Sequence, residues 1–236
     1  MPMKLFQLTA NRIMVNSYLL VSDNGEAVLI DPGCDSPREE SELLRLLQTE
    51  TSRLKYILLT HAHIDHIAGC AFVKGHFPES PLCAHQEALH DYSRANSYSA
   101  IFGFNEREYP PIDRFLQEGE TLCFGTDRLK VIHTPGHAQG SVCYYHLPEN
   151  WNCPETQTNS DNSDLSAPSL FSGDTLFCQS VGRCDLPGGD AAKLGQSLQK
   201  IAGLPAETRI YPGHGEATDL YFEMNNNPYL YQIRHN

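Results

Sequence analysis

The sequence contains little positive charge, and none of it is clustered. Its 17 lysine and arginine residues are outnumbered by 29 acidic residues, which gives a formal net charge of -12 at pH 7. Without a basic run, the chain has nothing to neutralise a row of phosphates, so we expect no nucleic-acid partner. An anionic substrate would need bound cations to reverse the local field.

Long apolar runs are also missing. No stretch approaches the roughly 20 apolar residues of a membrane span, and Met1 to Leu8 shows no basic segment followed by an apolar core. We therefore expect no membrane association and a cytoplasmic location. The 236 residues, 40% of them hydrophobic, can bury a substantial core, which favours one domain over residues 1–236.

The eight cysteines include no C-x-x-C pair. Several lie inside apolar runs that favour strands, so most are predicted to be buried, reduced thiols. Cys178 and Cys184 are exceptions because they flank a predicted site, and the sequence assigns them no role.

Apolar runs typical of strands alternate with amphipathic patterns typical of helices. We predict strands at 4–8, 13–21, 26–30, 56–59, 82–84, 121–124, 129–133, 141–147, 169–173 and 209–211. Helices are predicted to begin at Ser36-Pro37 and to span 66–74, 86–93 and 190–202, with a short helix or loop at 219–231. Two tandem sets of strands and helices indicate an α/β (α+β) fold, a four-layer αββα sandwich.

Two segments do not follow this alternation. Ala95 to Ile112 carries four aromatic residues without a clean period, and both a flap over the site and an ordinary surface excursion fit it. Residues 148–168 are rich in Asn, Ser, Thr, Asp and Pro. This composition predicts a flexible hairpin extension of the domain.

The stretch from Thr60 to Gly69 concentrates metal-ligating residue types directly after a predicted buried strand. His61, His63, Asp65 and His66 lie within six residues of one another. Imidazole and carboxylate groups suit zinc, iron or manganese. In an extended or turned segment the first two histidines can face one metal while Asp65 and His66 diverge toward a second position, so this stretch could supply ligands to two metals.

Three later apolar runs also end in a ligand type. His137 follows Thr134-Pro135-Gly136, Asp174 follows Gly173, and His214 follows Pro212-Gly213. Glycine permits backbone conformations that aim a neighbouring side chain into a cleft. Each residue alone is typical of a turn, but together with the histidine segment they indicate one shared metal site.

These residues carry a family resemblance. The H-x-H-x-D-H pattern at His61 to His66 resembles the metallo-β-lactamase-fold hydrolases. The segments Gly173 to Phe177 and Ser180 to Asp190 are similar to the glyoxalase II-like branch, the hydroxyacylglutathione hydrolases, in a compact bacterial form. The resemblance extends from about Lys4 to Tyr229 and implies the metallo-β-lactamase fold.

The resemblance implies two divalent metal ions, zinc in the first place, with iron or manganese as alternatives. Their implied ligands are His61, His63 and His137 for one ion, Asp65, His66 and His214 for the other, and Asp174 as a bridge between both. A hydroxide bridging the metals would attack a carbonyl carbon, with Asp65 and Asp174 as the catalytic carboxylates that hold the metals. Asp31 would brace the histidine segment, although a turn-forming aspartate explains this residue equally well.

The implied substrate is a small-molecule thioester such as S-lactoylglutathione. Arg183 stands where these enzymes keep a basic residue that meets the glutathione part, and the alternative for Arg183 is a loop-stabilising pair with Asp185. Larger members carry an extra helical domain after the last ligand histidine, where this sequence has 22 residues. They also carry tyrosines where Asp185 and Glu216 stand here.

Other functions fit parts of the same pattern. Related persulfide dioxygenases use a single iron and also carry a segment like Gly182 to Asp185, whereas Pro212 to Gly215 matches the dinuclear hydrolases. Hydrolysis of another ester or thioester and a binding or redox module on the same fold are further alternatives. The oligomeric state is not predicted.

Overall fold

Two six-stranded β-sheets form the centre of the computed structural model, which describes residues 3–148 and 165–235. The strands of the first sheet are neighbours in chain order: β1 (Lys4–Ala10), β2 (Val15–Val21), β3 (Glu26–Ile30), β4 (Arg53–Leu58), β5 (Leu82–His85) and β6 (Arg114–Leu116). The first three strands pair antiparallel, and β3 to β6 pair parallel. Parallel neighbours place their carboxyl ends at one edge of the sheet.

The second sheet follows a different order. Its strands are β7 (Thr121–Phe124), β8 (Asp127–His133), β9 (Val142–His146), β10 (Ser169–Gly173), β13 (Arg209–Pro212) and β14 (Thr218–Asp219). They lie in the spatial order β14-β13-β10-β9-β8-β7, and β10 pairs parallel with β13. A separate hairpin of β11 (Leu176–Phe177) and β12 (Ser180–Val181) follows β10.

Eight α-helices are found in the described residues. They are α1 (Pro37–Glu50), α2 (Ile64–Ile67), α3 (Cys70–His76), α4 (Leu89–Tyr92), α5 (Asn96–Phe102), α6 (Ala191–Ala202), α7 (Leu220–Asn226) and α8 (Pro228–His235), with a 3-10 turn at Gln86–Ala88. Among the described segments, no helix is long and apolar enough to cross a membrane.

Successive side chains of the central strands pack alternately into two different hydrophobic cores. In β2, Tyr18 and Leu20 pack into the core between the sheets, while Leu19 and Val21 pack into the core that contains helix α1. A third core joins the outer face of the second sheet to α6. Because successive side chains of a strand point to opposite faces, one buried strand serves two cores. The predicted αββα sandwich is confirmed.

Helix α1 begins where the sequence predicts it. Ser36 accepts a hydrogen bond from the Glu39 amide, and the Glu39 carboxylate accepts one from the Ser36 amide at 3.1 Å. This reciprocal capping box fixes the first turn of the helix.

The single helix predicted for 66–74 is wrong. The chain instead forms α2 and α3, separated at Ala68-Gly69, so Asp65 and His66 lie on a short helix. The Gly69 amide leaves the helical pattern to donate to the Pro32 carbonyl at 2.7 Å. A Cβ atom at Gly69 would lie 2.4 Å from the Cys34 sulfur, so only glycine permits this close approach. The prediction also missed the short strands β6, β11, β12 and β14.

The structure tests only one of the two predictions made for irregular segments, the one for Ala95 to Ile112. The predicted extension at 148–168 falls mainly on residues 149–164, which lie outside the described residues. Within Ala95 to Ile112, the structure forms α5, which carries Tyr98 and Phe102 into the wall of a cleft beside the histidines. This segment therefore contributes to the site, while Tyr109 packs on the first core.

Candidate metal centre

Ligand-type side chains from four separate segments meet at one edge of the sandwich. His61 and His63 follow β4, His137 follows β8, and Asp174 and His214 follow the parallel pair of β10 and β13. Asp65 and His66 project from α2. The structure thus brings together all seven residues that the sequence predicted as ligands.

The first triad consists of three histidines. The His63 Nδ1 atom lies 3.1 Å from the His61 Nε2 atom and 2.9 Å from the His137 Nε2 atom. The three rings meet edge to face, with centroids 4.6 to 4.8 Å apart. Their nitrogens therefore converge on one position, as the ligands of a cation do.

The second triad combines a carboxylate with two imidazoles. The Asp65 Oδ2 atom lies 3.1 Å from the His214 Nε2 atom and 3.6 Å from the His66 Nε2 atom. Asp174 stands between the two triads. Its Oδ1 atom is 3.3 Å from the His66 Nε2 atom, and its Oδ2 atom is 3.5 Å from the His137 Nε2 atom.

Each sheet holds ligand segments of the other. From the first sheet, Asn16 donates its side-chain amide to the carbonyls of Pro212 and Gly215, on either side of His214. From the second sheet, Tyr144 donates its hydroxyl to the Leu59 carbonyl at 2.7 Å, directly before the histidine segment. The relative position of the ligands therefore depends on the packing between the sheets.

The outer nitrogens of four histidines have defined partners. His66 Nδ1 lies 2.9 Å from the Asp31 carboxylate, and His137 Nδ1 lies 2.8 Å from the Arg183 carbonyl. His61 Nδ1 lies 3.1 Å from the Thr60 hydroxyl, and His214 Nδ1 lies 3.1 Å from the Ile13 carbonyl. Carbonyl and carboxylate oxygens only accept, and the Thr60 hydroxyl accepts from His61 because it donates its own proton to Asp31. These contacts therefore place a proton on Nδ1 and turn Nε2 toward the centre.

Asp31 supports this arrangement through three contacts. Its carboxylate accepts from the Thr60 amide at 2.7 Å, from the Thr60 hydroxyl at 2.6 Å and from His66 Nδ1 at 2.9 Å. Its backbone has a φ of 50°, which is uncommon outside glycine and less so for aspartate. Both descriptions from the sequence therefore apply, since Asp31 shapes the turn and contacts the histidine segment.

The neutral imidazoles and the ionised carboxylate of the centre favour a bound cation. Burial lowers the pKa of His61 well below its usual value and, with His137 adjacent, that of His63 to about 4, so both imidazoles are neutral bases. For Asp174, burial alone would raise the pKa, but the neighbouring His66, His137 and His214 lower it, so the carboxylate is ionised. For His66, the nearby carboxylates outweigh burial and raise its pKa, so they favour a positive charge at Nε2, where a metal ion would replace the proton.

Two buried polar atoms test whether a metal fits. His66 Nε2 and Asp174 Oδ1 are fully buried and lie 3.3 Å apart, and neither makes a well-aligned hydrogen bond in the described structure. Buried polar atoms are otherwise almost always paired, because leaving one unpaired costs about 1 to 3 kcal/mol. A lone pair on imidazole and a carboxylate oxygen form the donor set of zinc, iron or manganese, so these residues fit a metal pair.

Another group of ligand types lies outside this centre. His85, Glu87 and His133 approach one another, but the two imidazole rings are stacked, with centroids 3.9 Å apart and planes within 17°. Lone pairs of parallel rings lie in parallel planes and do not converge on one ion. This group therefore lacks the geometry of the main centre.

An apolar cleft of about 490 Å³ opens above the metal centre. Its apolar lining comes from Ile13, Ile64, Tyr98, Phe102, Phe177, Val181, Leu186 and Pro187. Apart from the predicted ligands, its charged lining residues are Asp91 and Arg183. The prediction from sequence missed Asp91 because it lies in a segment predicted only as helix.

Arg183 makes the ion pair that the sequence offered as its alternative role. The Arg183 Nε and Nη2 atoms lie 2.6 and 2.7 Å from the two carboxylate oxygens of Asp185. This two-point contact lowers the pKa of Asp185 to about 2. Both side chains are more than half exposed, so the pair is open to exchange with a ligand that enters the cleft.

The fold and this centre together define a class of protein. Residues 10–151 match the family model described as the metallo-beta-lactamase superfamily, and the chain belongs to this family. A protein of Haemophilus influenzae named hydroxyacylglutathione hydrolase GloC is 28% identical over 222 residues, which cover 91% of this chain and 92% of that protein.

Two crystal structures are similar over nearly the whole chain. One is the BLEG-1 B3 metallo-beta-lactamase, with a TM-score of 0.78 and 38% identity over 96% of this chain and 99% of the other. The other is TTHA1623 in a di-iron-bound form, with a TM-score of 0.78 and 38% identity over 95% of this chain and all of the other. The chain is therefore a metallohydrolase of this superfamily.

Proposed function

We propose that this protein is a dinuclear metallohydrolase that cleaves small-molecule thioesters of the S-lactoylglutathione type. The observation that carries the proposal is the placement of Asp174 between two triads of ligand-type residues, with a buried oxygen that makes no hydrogen bond in the described structure. His61, His63 and His137 would hold one ion, Asp65, His66 and His214 the other, and Asp174 both. When bound, the ions would supply an activated water as nucleophile and a Lewis acid for the carbonyl oxygen.

The protein's own residues position the substrate. The apolar cleft wall, with Phe102 and Phe177 among its residues, would surround the acyl and thiol groups and exclude bulk water. Arg183, at the same cleft, would exchange Asp185 for a substrate carboxylate. A thiolate of low basicity would then leave with little need for a proton donor.

Two further observations support thioester chemistry. The relative from Haemophilus influenzae that carries the name hydroxyacylglutathione hydrolase is similar over almost its full length. The predominantly apolar cleft also accommodates a thioester better than a highly charged substrate. The bound metals in this proposal are zinc, iron or manganese, since histidine and carboxylate ligands suit all three.

The direct test is hydrolysis of S-lactoylglutathione by the metal-loaded protein, with oxygen consumption on glutathione persulfide and hydrolysis of a β-lactam measured on the same preparation. We expect thioester turnover that Asp174→Asn lowers by at least about 100-fold, since that variant weakens both metal positions. The matched control is Asp23→Asn, an exposed aspartate after the far end of β2, which should retain full turnover.

Other outcomes would contradict the proposal. Oxygen consumption with a single iron and no thioester turnover would favour the persulfide dioxygenase alternative. Turnover confined to the β-lactam would place the protein with the metallo-β-lactamases in activity as well as in fold. If only other thioesters were turned over, the protein would still be a thioester hydrolase, but S-lactoylglutathione would be excluded as its substrate.

A further inference from the structure

Asp91 is a buried carboxylate in the cleft wall that the proposed chemistry does not use. It lies in α4, lines the cleft, and its side chain is only 10% exposed. Among the described residues that line the cleft, the other carboxylates, Asp65 and Asp174, are both proposed metal ligands. The charge of Asp91 therefore needs another explanation.

The neighbouring histidine does not neutralise this charge. Arg94 Nη1 lies 3.2 Å from His90 Nε2, and a guanidinium can only donate, so His90 Nε2 accepts. The single imidazole proton must then be on Nδ1, from which it is donated to Asp91 Oδ1 at 3.1 Å. Asp91 therefore receives one hydrogen bond from His90, whose other ring nitrogen is in contact with Arg94.

The second oxygen of Asp91 has no donor in the described part of the chain. The hydrogen bonds and ion pairs of this carboxylate all involve Oδ1, so Oδ2 is left for a group inside the cleft. A hydrogen bond to a carboxylate is strongest when its donor is positively charged. A cationic donor is therefore the partner that would bind this oxygen most tightly.

Asp91 faces the loop that contains Arg183. The ideal Cβ position of Gly188 lies 3.9 and 4.0 Å from the two oxygens of Asp91, so the carboxylate faces the loop from Gly182 to Gly189. Arg183, Leu186 and Pro187 of the same loop line the cleft. Asp91 and Arg183 thus both line the cleft, and Asp91 faces the loop that carries Arg183.

We propose that Asp91 is a specificity-determining residue that binds a primary ammonium group in the thiol part of the substrate. The substrate would then be a thioester whose thiol part is zwitterionic, with its carboxylate toward Arg183 and its ammonium on Asp91. An ammonium offers three donors on a compact charge, which suits a single free carboxylate oxygen. This inference rests on the proposed function and adds the recognised group to it.

The test compares S-lactoylglutathione with its N-acetyl derivative, which lacks the ammonium charge. We expect the wild type to show a kcat/KM about tenfold higher for the free amine, as a charge-assisted hydrogen bond in a cleft provides. Asp91→Asn should reduce this preference to less than about twofold. Glu87→Gln, an exposed residue of the adjacent 3-10 turn, removes the same charge and should keep the wild-type preference.

A binding measurement separates this inference from the proposed function. S-methylglutathione and its N-acetyl derivative are thioethers, so they cannot be hydrolysed as thioesters. Calorimetry would give the dissociation constants of both compounds for the wild type and for Asp91→Asn. Two results would overturn the role of Asp91. One is that the wild type turns over and binds the free amine and the N-acetyl derivative equally well. The other is that the preference for the free amine persists in Asp91→Asn. If no thioester is turned over, the proposed function fails, and amine-dependent binding that Asp91→Asn abolishes would still support this role.

Discussion

His63 presents its Nδ1 nitrogen to the centre, whereas His61 and His137 present Nε2. The outer partners explain the difference for the last two, because Thr60 and the Arg183 carbonyl occupy their Nδ1 atoms. The sequence predicted these seven residues as ligands from their types, from their positions after apolar runs and from the family resemblance. It could not predict which nitrogen faces inward, because that depends on contacts between segments far apart in the chain.

Asp31→Asn tests the contact behind His66. The amide keeps the shape of the side chain and tolerates the positive φ, but it cannot serve as a charged acceptor for His66 Nδ1. We expect about 10- to 100-fold weaker binding at one of the two metal positions, measured by competition with a chelator. Unchanged affinity would mean that Asp31 only shapes its turn.

Gly213→Ala tests how closely the backbone approaches the Asp174 carboxylate. A Cβ atom there would lie 2.3 Å from Asp174 Oδ1 and 2.7 Å from His66 Cε1. We expect loss of one metal per chain and of most of the proposed turnover. In the control Gly195→Ala, the new methyl group meets nothing within 4 Å, and helix propensity should raise the free energy of unfolding by up to about 1 kcal/mol. Full metal content in Gly213→Ala would contradict the packing around the centre.

At the scale of elements, strands that end at one edge bring the ligands together. The sequence predicted most of these strands because β-branched and aromatic residues recur in short apolar runs. It missed β6 and the β11–β12 hairpin, which have only two or three residues each and depend on pairing with neighbours. The break between α2 and α3 was also missed, since it follows from the contact of Gly69 with Pro32 and Cys34.

Ser36→Ala tests the cap of α1. Without its hydroxyl, the Glu39 amide loses its acceptor, and the free energy of unfolding should fall by about 1 kcal/mol. Urea denaturation measures this change, and the metal content should stay the same. Ser41→Ala, at an exposed position inside the same helix, should change the free energy of unfolding by less than about 0.5 kcal/mol. Equal losses in both variants would exclude a specific capping effect.

At the scale of the whole molecule, buried cysteines are distributed over all three cores. Cys34 and Cys70 lie in the core that contains α1, Cys83 lies between the sheets, and Cys143 lies in the core beneath α6. No disulfide joins the described cysteines, and Cys123 is exposed. The cysteines therefore report on the packing of each core separately.

The reactivity of the cysteines toward a thiol-labelling reagent, measured at several pH values, tests whether each core is packed as described. Burial raises the pKa of Cys34 and Cys83 to about 12 and that of Cys143 to about 11. Because the thiolate is the reactive form and a raised pKa keeps the thiol protonated, these cysteines should stay unlabelled from pH 7 to 9 until the protein unfolds. Cys123 should label rapidly in the folded protein, as mass spectrometry of peptides would show. Rapid labelling of Cys83 would contradict the packing between the sheets.

The metal content per chain tests the central claim most directly. Protein purified without chelators would be analysed for zinc, iron and manganese, together with the His214→Ala variant. We expect two divalent ions per chain in the wild type and one in the variant, because His214 belongs only to the triad with Asp65 and His66. One ion per chain in both proteins would contradict a dinuclear centre bridged by Asp174.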